Sequence, residues 1–184
     1  MISNEGYGFD EYKRAYPLNF RKEDGTIKQI QEIVYDVIAI EQPIHFEELC
    51  RRVAPLWDRQ KVTSVVRGEV RRIFDWYLKQ FISEDKYEFV RLKDFTDVKV
   101  RIPNENDDYL RPISYICDEE LRLAMRTIAQ NSFGITPDDL FIVAAREFGY
   151  KRTGKDIVNA LRSAYENMLK LNEATEIDGK VHIN

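Results

Sequence analysis

The chain repeats itself. Placing Ile44 on Ile135 and Leu49 on Leu140 sets an offset of 91 residues, and that offset carries through without a gap. It aligns Ile30, Val34 and Val37 with Leu121, Met125 and Ile128. It then aligns Val66, Val70, Phe74 and Leu78 with Ile157, Leu161, Tyr165 and Leu169, and Val90 with Val181. Identity is low, yet the apolar register survives across loops of equal length. Any two amphipathic helices share a period, but periodicity does not supply equal loops and a shared hairpin, so a tandem duplication is the favoured reading.

Both copies are expected to have one order of elements. Ile27, Ile30, Ile33, Val34, Val37 and Ile38 recur at helical spacing and give an amphipathic helix that ends before Pro43. A second helix is expected over 46–53. A third, longer one runs from about Lys61 to Gln80, with Val62, Val66, Val70, Ile73, Phe74, Tyr77 and Leu78 on one face. FISEDKYEFVRL then alternates around a polar turn at 83–86 and reads as a β-hairpin. The second copy closes on ATEIDGKVHIN, where Asp178-Gly179 between Ile177 and Val181 is a strong hairpin signal.

Helix, helix, longer helix and hairpin is the order of a winged helix-turn-helix domain. The expected fold is therefore mainly α with small β-hairpins, of the α+β class, as tandem winged helix-turn-helix domains. An extended lead-in over 1–25, with one short helical turn around 10–15, precedes a first domain over 26–102. A linker over 103–114, rich in Pro103, Asn104, Asn106, Asp107 and Asp108, leads to a second domain over 115–184. VKVRI, just before the linker, is placed to add a strand.

With 184 residues, 43% of them hydrophobic, the chain has material for the cores of one ordinary domain or two small ones. Lys and Arg number 28 against 32 Asp and Glu, a net charge of −4, which excludes a basic coat that binds nucleic acid indiscriminately. Cys50 and Cys117 lie far apart with no CxxC or Cys/His spacing, so buried thiols in a reducing cytoplasm are expected rather than a disulfide or zinc site. No segment resembles a signal sequence or an apolar run of ~18 residues, so no membrane partner is expected. GxSxG, GxxxxGK[ST] and HExxH are absent, and GYKRTGKD at 149–156 lacks both a preceding strand and the Lys-Ser/Thr ending of a phosphate loop. A non-enzymatic protein without a cofactor is the expectation.

One cluster invites a chemical reading. QPIHFEELCRR, 42–52, gathers His45, Glu47, Glu48 and Cys50, of which His45, Glu47 and Glu48 would serve a metal-dependent hydrolase. Its counterpart in the second copy reads FGITPDDLF, where Thr136 precedes Pro137 and stands three residues before Asp139, the arrangement of a helix N-cap. By analogy His45 and Glu48 become the two ends of a cap, and Cys50, opposite Phe141, becomes a buried thiol. His182 falls in the second hairpin, where a solvated strand position is the expectation.

A winged helix presents its third helix to the major groove and its wing to the DNA backbone. Residues 58–72 hold Arg59, Lys61, Arg67, Arg71 and Arg72 against Asp58 and Glu69. In the second copy Lys151, Arg152 and Lys155 precede or open the helix, beside Thr153 and Gly154. Duplex DNA is thus the expected partner, with Lys61, Arg67, Arg71, Lys151, Arg152 and Lys155 as phosphate contacts. The alternative is a protein-interaction scaffold that docks a partner or a second copy through Trp57, Trp76 and Tyr77.

Three runs, IVYDVIAIEQPIHFEELCRRVAPLW, VRIPNENDDYLRPISYICDEEL and FGYKRTGKDIVNAL, together carry a family likeness. From about Phe9 onward the chain resembles the domain-of-unknown-function family thirty-three-twenty. The matching positions are Glu41, Pro43, Ile44 and His45, then Arg51 and Arg52, then Glu119 and Glu120, then Gly149, Arg152, Thr153 and Gly154. The chain departs from the pattern at Gln42 and Asp58, where glycine is usual, and at Val90, where tryptophan is usual. The resemblance implies a C-terminal tandem winged-helix module of bacterial superfamily I helicase-like proteins that also carry a nuclease domain, either standing alone or within a longer chain. A helicase or nuclease protein partner is implied in the same way, and no catalytic residues are.

Overall fold

The computed structural model describes residues 6–16 and 27–184. The rest of the expected lead-in, and the expected facing of Ile27, lie outside the described residues. The fold is mixed, with helices predominating over short strands. It divides into two compact units, residues 13–97 and residues 98–184 with the N-terminal segment through Tyr12.

Strand β1 (Asp10–Glu11) is followed by helix α1 (Ile27–Glu41), strand β2 (Ile44–His45) and helix α2 (Phe46–Val53). A 3-10 turn over Ala54–Trp57 leads to helix α3 (Ser64–Ile73), which passes into a π-helical turn, Phe74–Leu78. Strands β3 (Ile82–Glu84) and β4 (Phe89–Leu92) form the hairpin. Strand β5 (Arg101–Ile102) then precedes helices α4 (Asp118–Gln130), α5 (Pro137–Glu147) and α6 (Lys155–Lys170) and the hairpin β6 (Ala174–Ile177) and β7 (Lys180–Ile183).

The 91-residue offset holds in three dimensions. In the first unit β2 pairs antiparallel with β4, Ile44 facing Val90, so the sheet runs β2-β4-β3. In the second, Ile135 bridges Val181, the same two positions, and the Val181 N–H donates to the Ile135 carbonyl at 2.9 Å. Val34, Val37, Leu49, Val66 and Val70 fill the first core, and Met125, Ile128, Leu140 and Leu161 fill the second. Each such side chain, fully buried, contributes about 1.5–3 kcal/mol.

One compensation shows how two different sequences fill the same space. Phe46 meets Phe74 edge to face at 5.7 Å, with the small Cys50 one turn further along α2. The second unit exchanges the sizes: Pro137 stands in place of Phe46, and Phe141, in place of Cys50, meets Tyr165 at 5.7 Å. The aromatic has moved one helical turn, and the pair with the third helix is kept.

Several boundaries differ from expectation. Residues 10–15 hold no helical turn; Asp10 and Glu11 pair in parallel with Arg101 and Ile102. Residues 98–102, expected in the first domain, cluster with the second unit. Helix α3 begins at Ser64 rather than Lys61, because the Thr63 hydroxyl accepts from the Val66 N–H and caps it there. The first hairpin turns at 85–88 rather than 83–86, because the Asp85 carboxylate accepts from the Tyr87 and Phe89 N–H groups at 2.8 and 2.9 Å. The second hairpin has the expected Asp178-Gly179 turn, with φ of 51° and 71°, the pair of positive values of a type I′ turn.

Each unit buries a carboxylate at its centre. Glu41 receives the Arg52 guanidinium at 2.7 and 3.1 Å and the Ala15 N–H at 2.7 Å. Glu120, with no exposed surface, receives Arg111 at 2.6 and 3.0 Å and Arg101 through both its backbone N–H and its guanidinium, at 2.8 and 2.6 Å. Burial pushes the Glu120 carboxyl up, but the Arg111 and Arg101 charges and hydrogen bonds more than reverse this and hold it below the usual carboxylate range. The expected linker is thereby fastened: Arg111 is 6% exposed, and Tyr150 donates to its carbonyl at 2.6 Å.

Gly149, between α5 and α6, adopts φ +86° against this segment, and a Cβ there would lie 2.6 Å from Pro103. Gly149→Ala is therefore expected to destabilise by about 1–3 kcal/mol. Gly68 lies inside α3 with open space where a methyl group would sit, and Gly68→Ala should gain about 1 kcal/mol. Thermal melting followed by circular dichroism reads both, and equal shifts of one sign would contradict the assignment.

Candidate nucleic-acid interface

The basic residues singled out in the two copies meet different fates. In the first, Lys61 is exposed in the loop before α3, but Arg67 is ion-paired with Glu47 of α2. Arg71 lies over the Phe46 ring, its guanidinium carbon 3.7 Å from the centroid. It reaches across to the hairpin, pairing with Glu84 and, at 3.2 Å, with Glu88. Arg72 is 3.2 Å from Glu69. The positive charge of α3 is therefore largely answered by carboxylates of its own unit, which makes α3 a weak attractor for phosphate.

The second repeat is otherwise. Lys151, Arg152 and Lys155 are all exposed, and among the described residues none is paired with a carboxylate. Thr153 and Gly154 are exposed beside them, and Gly154 begins α6 without a side-chain cap. No side chain caps the first-turn N–H groups of this 16-residue helix, and Asp156 is the acidic residue of that turn, where the helix dipole favours negative charge. Asn159 and Arg162, also exposed, continue the face begun by Lys155 at spacings of four and three. Sequence reasoning passed over these two, although that spacing was visible.

The opening ligand cluster dissolves into structural roles. His45 Nδ1 accepts from the Glu47 N–H at 3.2 Å and caps α2, while its ring meets Phe89 edge-on at 5.3 Å. The second repeat uses the expected Thr136, whose hydroxyl accepts from the Asp139 N–H at 3.3 Å and donates to the Asp139 carboxylate at 2.7 Å. Glu48 is not the other end of a cap: it is buried and receives Arg51 at 2.6 Å and also Arg52. Cys50 and Cys117 are both buried, which pushes their thiols up to about 12. Among the described residues no group of three His, Cys, Asp or Glu side chains is arranged to hold a metal ion, and no helix is long and apolar enough to cross a membrane.

Of the proposed docking residues, Trp57 packs partly buried against the first core, whereas Trp76 and Tyr77 are exposed. Tyr77, expected on the apolar face, is turned outward by the π-helical turn.

A model of the family described as "Protein of unknown function (DUF3320)" matches residues 23–68, a segment that includes α1, β2, α2 and the start of α3. The match supports the family resemblance over that part of the chain. No curated protein and no solved structure matches. Within the segment, Glu41 and Arg52 form the buried pair, Ile44 lies in the core, and His45 is the cap. Asp58 adopts φ +54°, a left-handed value that glycine takes at no steric cost.

Burial lowers the His45 imidazole below its ordinary value of 6.5, against the opposing pull of Glu88, Glu47, Asp85 and Glu48. A cap that accepts through Nδ1 requires the neutral ring. Because the unfolded chain takes up the proton first, the stability from this ring is complete above about pH 6.5 and is lost as pH falls toward the folded value. His45→Ala should cost about 1 kcal/mol at neutral pH. His45→Thr, which imports the other repeat's cap, should flatten the dependence of melting temperature on pH over roughly pH 7.5 to 5.5. An unchanged pH slope in His45→Thr would contradict this role.

Proposed function

We propose that the chain is a non-enzymatic tandem winged-helix module that binds duplex DNA, works in the cytoplasm with a helicase or nuclease, and contacts DNA chiefly through the start of α6. The reading is carried by Lys151, Arg152 and Lys155, exposed and unpaired at an uncapped helix start. The order of elements supports the fold. In each repeat three helices are followed by a hairpin, and the residue leading into the second helix bridges the returning strand, as the first strand of a winged helix does.

On this reading α6 supplies the recognition helix, with Asn159 and Arg162 reaching base edges and phosphates, and the β6–β7 turn touches the backbone. The first repeat contributes less to affinity, since Arg67 and Arg71 would have to leave Glu47, Glu84 and Glu88 to reach phosphate. Its role is to extend the module and to hold the partner protein.

Fluorescence anisotropy with a labelled duplex, titrated at low and moderate salt, tests the proposal. Affinity should fall steeply with salt. Arg152→Glu with Lys155→Glu should weaken binding by about tenfold or more and lower the salt slope by about two. Arg67→Ala should stay within about twofold of the parent. Binding that is absent at low salt, or indifferent to salt, would overturn the reading.

A further inference from the structure

The third helices of the two repeats should be interchangeable, but they end differently. Helix α6 is regular through Lys170, and its Met168 is fully buried. At the equivalent position Tyr77 is 42% exposed, and its neighbour Trp76 is 77% exposed, because the last turn of α3 is π-helical. The extra residue per turn carries position 77 out of the core and presents two aromatic side chains to solvent. Neither ring has an aromatic or cationic partner among the described residues.

These rings border an open cleft of about 420 Å³, lined by Trp76, Tyr77, Lys79, Gln80 and Lys93. Its volume is in the ~300–1,000 Å³ range of small-ligand sites. The lining holds two lysines and no carboxylate, and neither lysine is ion-paired among the described residues. Lys93 is held in place by its backbone, whose N–H donates to the Phe81 carbonyl at 2.8 Å. Aromatic faces flanked by unpaired cations are complementary to an unpaired base joined to its phosphate: the base stacks on the ring and the cation takes the charge.

We propose that the Trp76 and Tyr77 cleft of the first repeat binds single-stranded DNA, with a base stacked on Trp76 and Lys79 and Lys93 on the adjoining phosphates. This site goes beyond the duplex reading and does not depend on it, since it lies on another helix and uses stacking rather than a basic helix start. A single strand suits it because duplex bases are already stacked and offer no free face.

Anisotropy with labelled oligo(dT) of about 15 nucleotides tests the site in the full chain, beside oligo(rU) of equal length and the duplex. The parent should bind oligo(dT), Trp76→Ala should weaken it about tenfold, and Trp76→Phe should retain most of the affinity. Lys79→Glu with Lys93→Glu should weaken oligo(dT) and leave the duplex unchanged; Arg152→Glu with Lys155→Glu should do the reverse. A parent chain that binds oligo(dT) but not the duplex defeats the proposed function and supports this site. The site is overturned if the parent does not bind oligo(dT) or if Trp76→Ala binds it like the parent. Tighter binding of oligo(rU) overturns the choice of DNA. Light scattering that shows Trp76→Ala converting a dimer to monomer, with oligonucleotide binding unchanged, assigns the face to a second copy instead.

Discussion

In each repeat the backbone pairing just before the second helix decides where the hairpin goes. Ile44 faces Val90 and Ile135 faces Val181, so the returning strand of each hairpin is tied to the residue that leads into the second helix. The bridged residues are remote in sequence, and closing that loop is entropically costly. Once it is closed, the hairpin covers the end of the helical core, and the second helix must start at the next residue or two. The caps at His45 and Thr136 stand at that point.

The two repeats keep that frame and use their charges differently. In the first, carboxylates from α2 and the hairpin turn inward on Arg67 and Arg71, and the same hairpin turn is stabilised by Asp85. In the second, Lys151, Arg152 and Lys155 stand clear, and the helix they introduce lacks a side-chain cap. The third helices thus differ in their charges: in the first repeat the arginines of α3 are answered by carboxylates, while the cations at the start of α6 face solvent. The buried pairs Glu41–Arg52 and Glu120–Arg111 belong to the frame, since removal of either partner would strand a charge in an apolar interior.

Much of the frame was legible in the sequence because it rests on local signals. The 91-residue register, the Thr136 cap, the Asp178-Gly179 turn and the burial of Cys50 opposite Phe141 each follow from period, capping or turn chemistry. What escaped depends on distant or long side chains. Asp10 and Glu11 pair with Arg101 and Ile102 through strands too short to alternate. Glu41, Glu48 and Glu120 look like surface residues until their arginines are placed around them. The pairing of Arg67 and Arg71 with acids 13 to 20 residues away changed the weight of the first basic patch, and no spacing rule announces it. The π-helical turn that exposes Tyr77 was hidden for the opposite reason: its apolar spacing is that of an ordinary helix.

The division of labour between the repeats is tested most directly by backbone amide chemical shifts of the labelled protein during titration with duplex DNA. The account predicts that the largest changes gather at residues 151–162 and at the 178–180 turn, with α3 of the first repeat little affected. Changes concentrated on residues 64–73 and 84–88, or no changes at low salt, would contradict it.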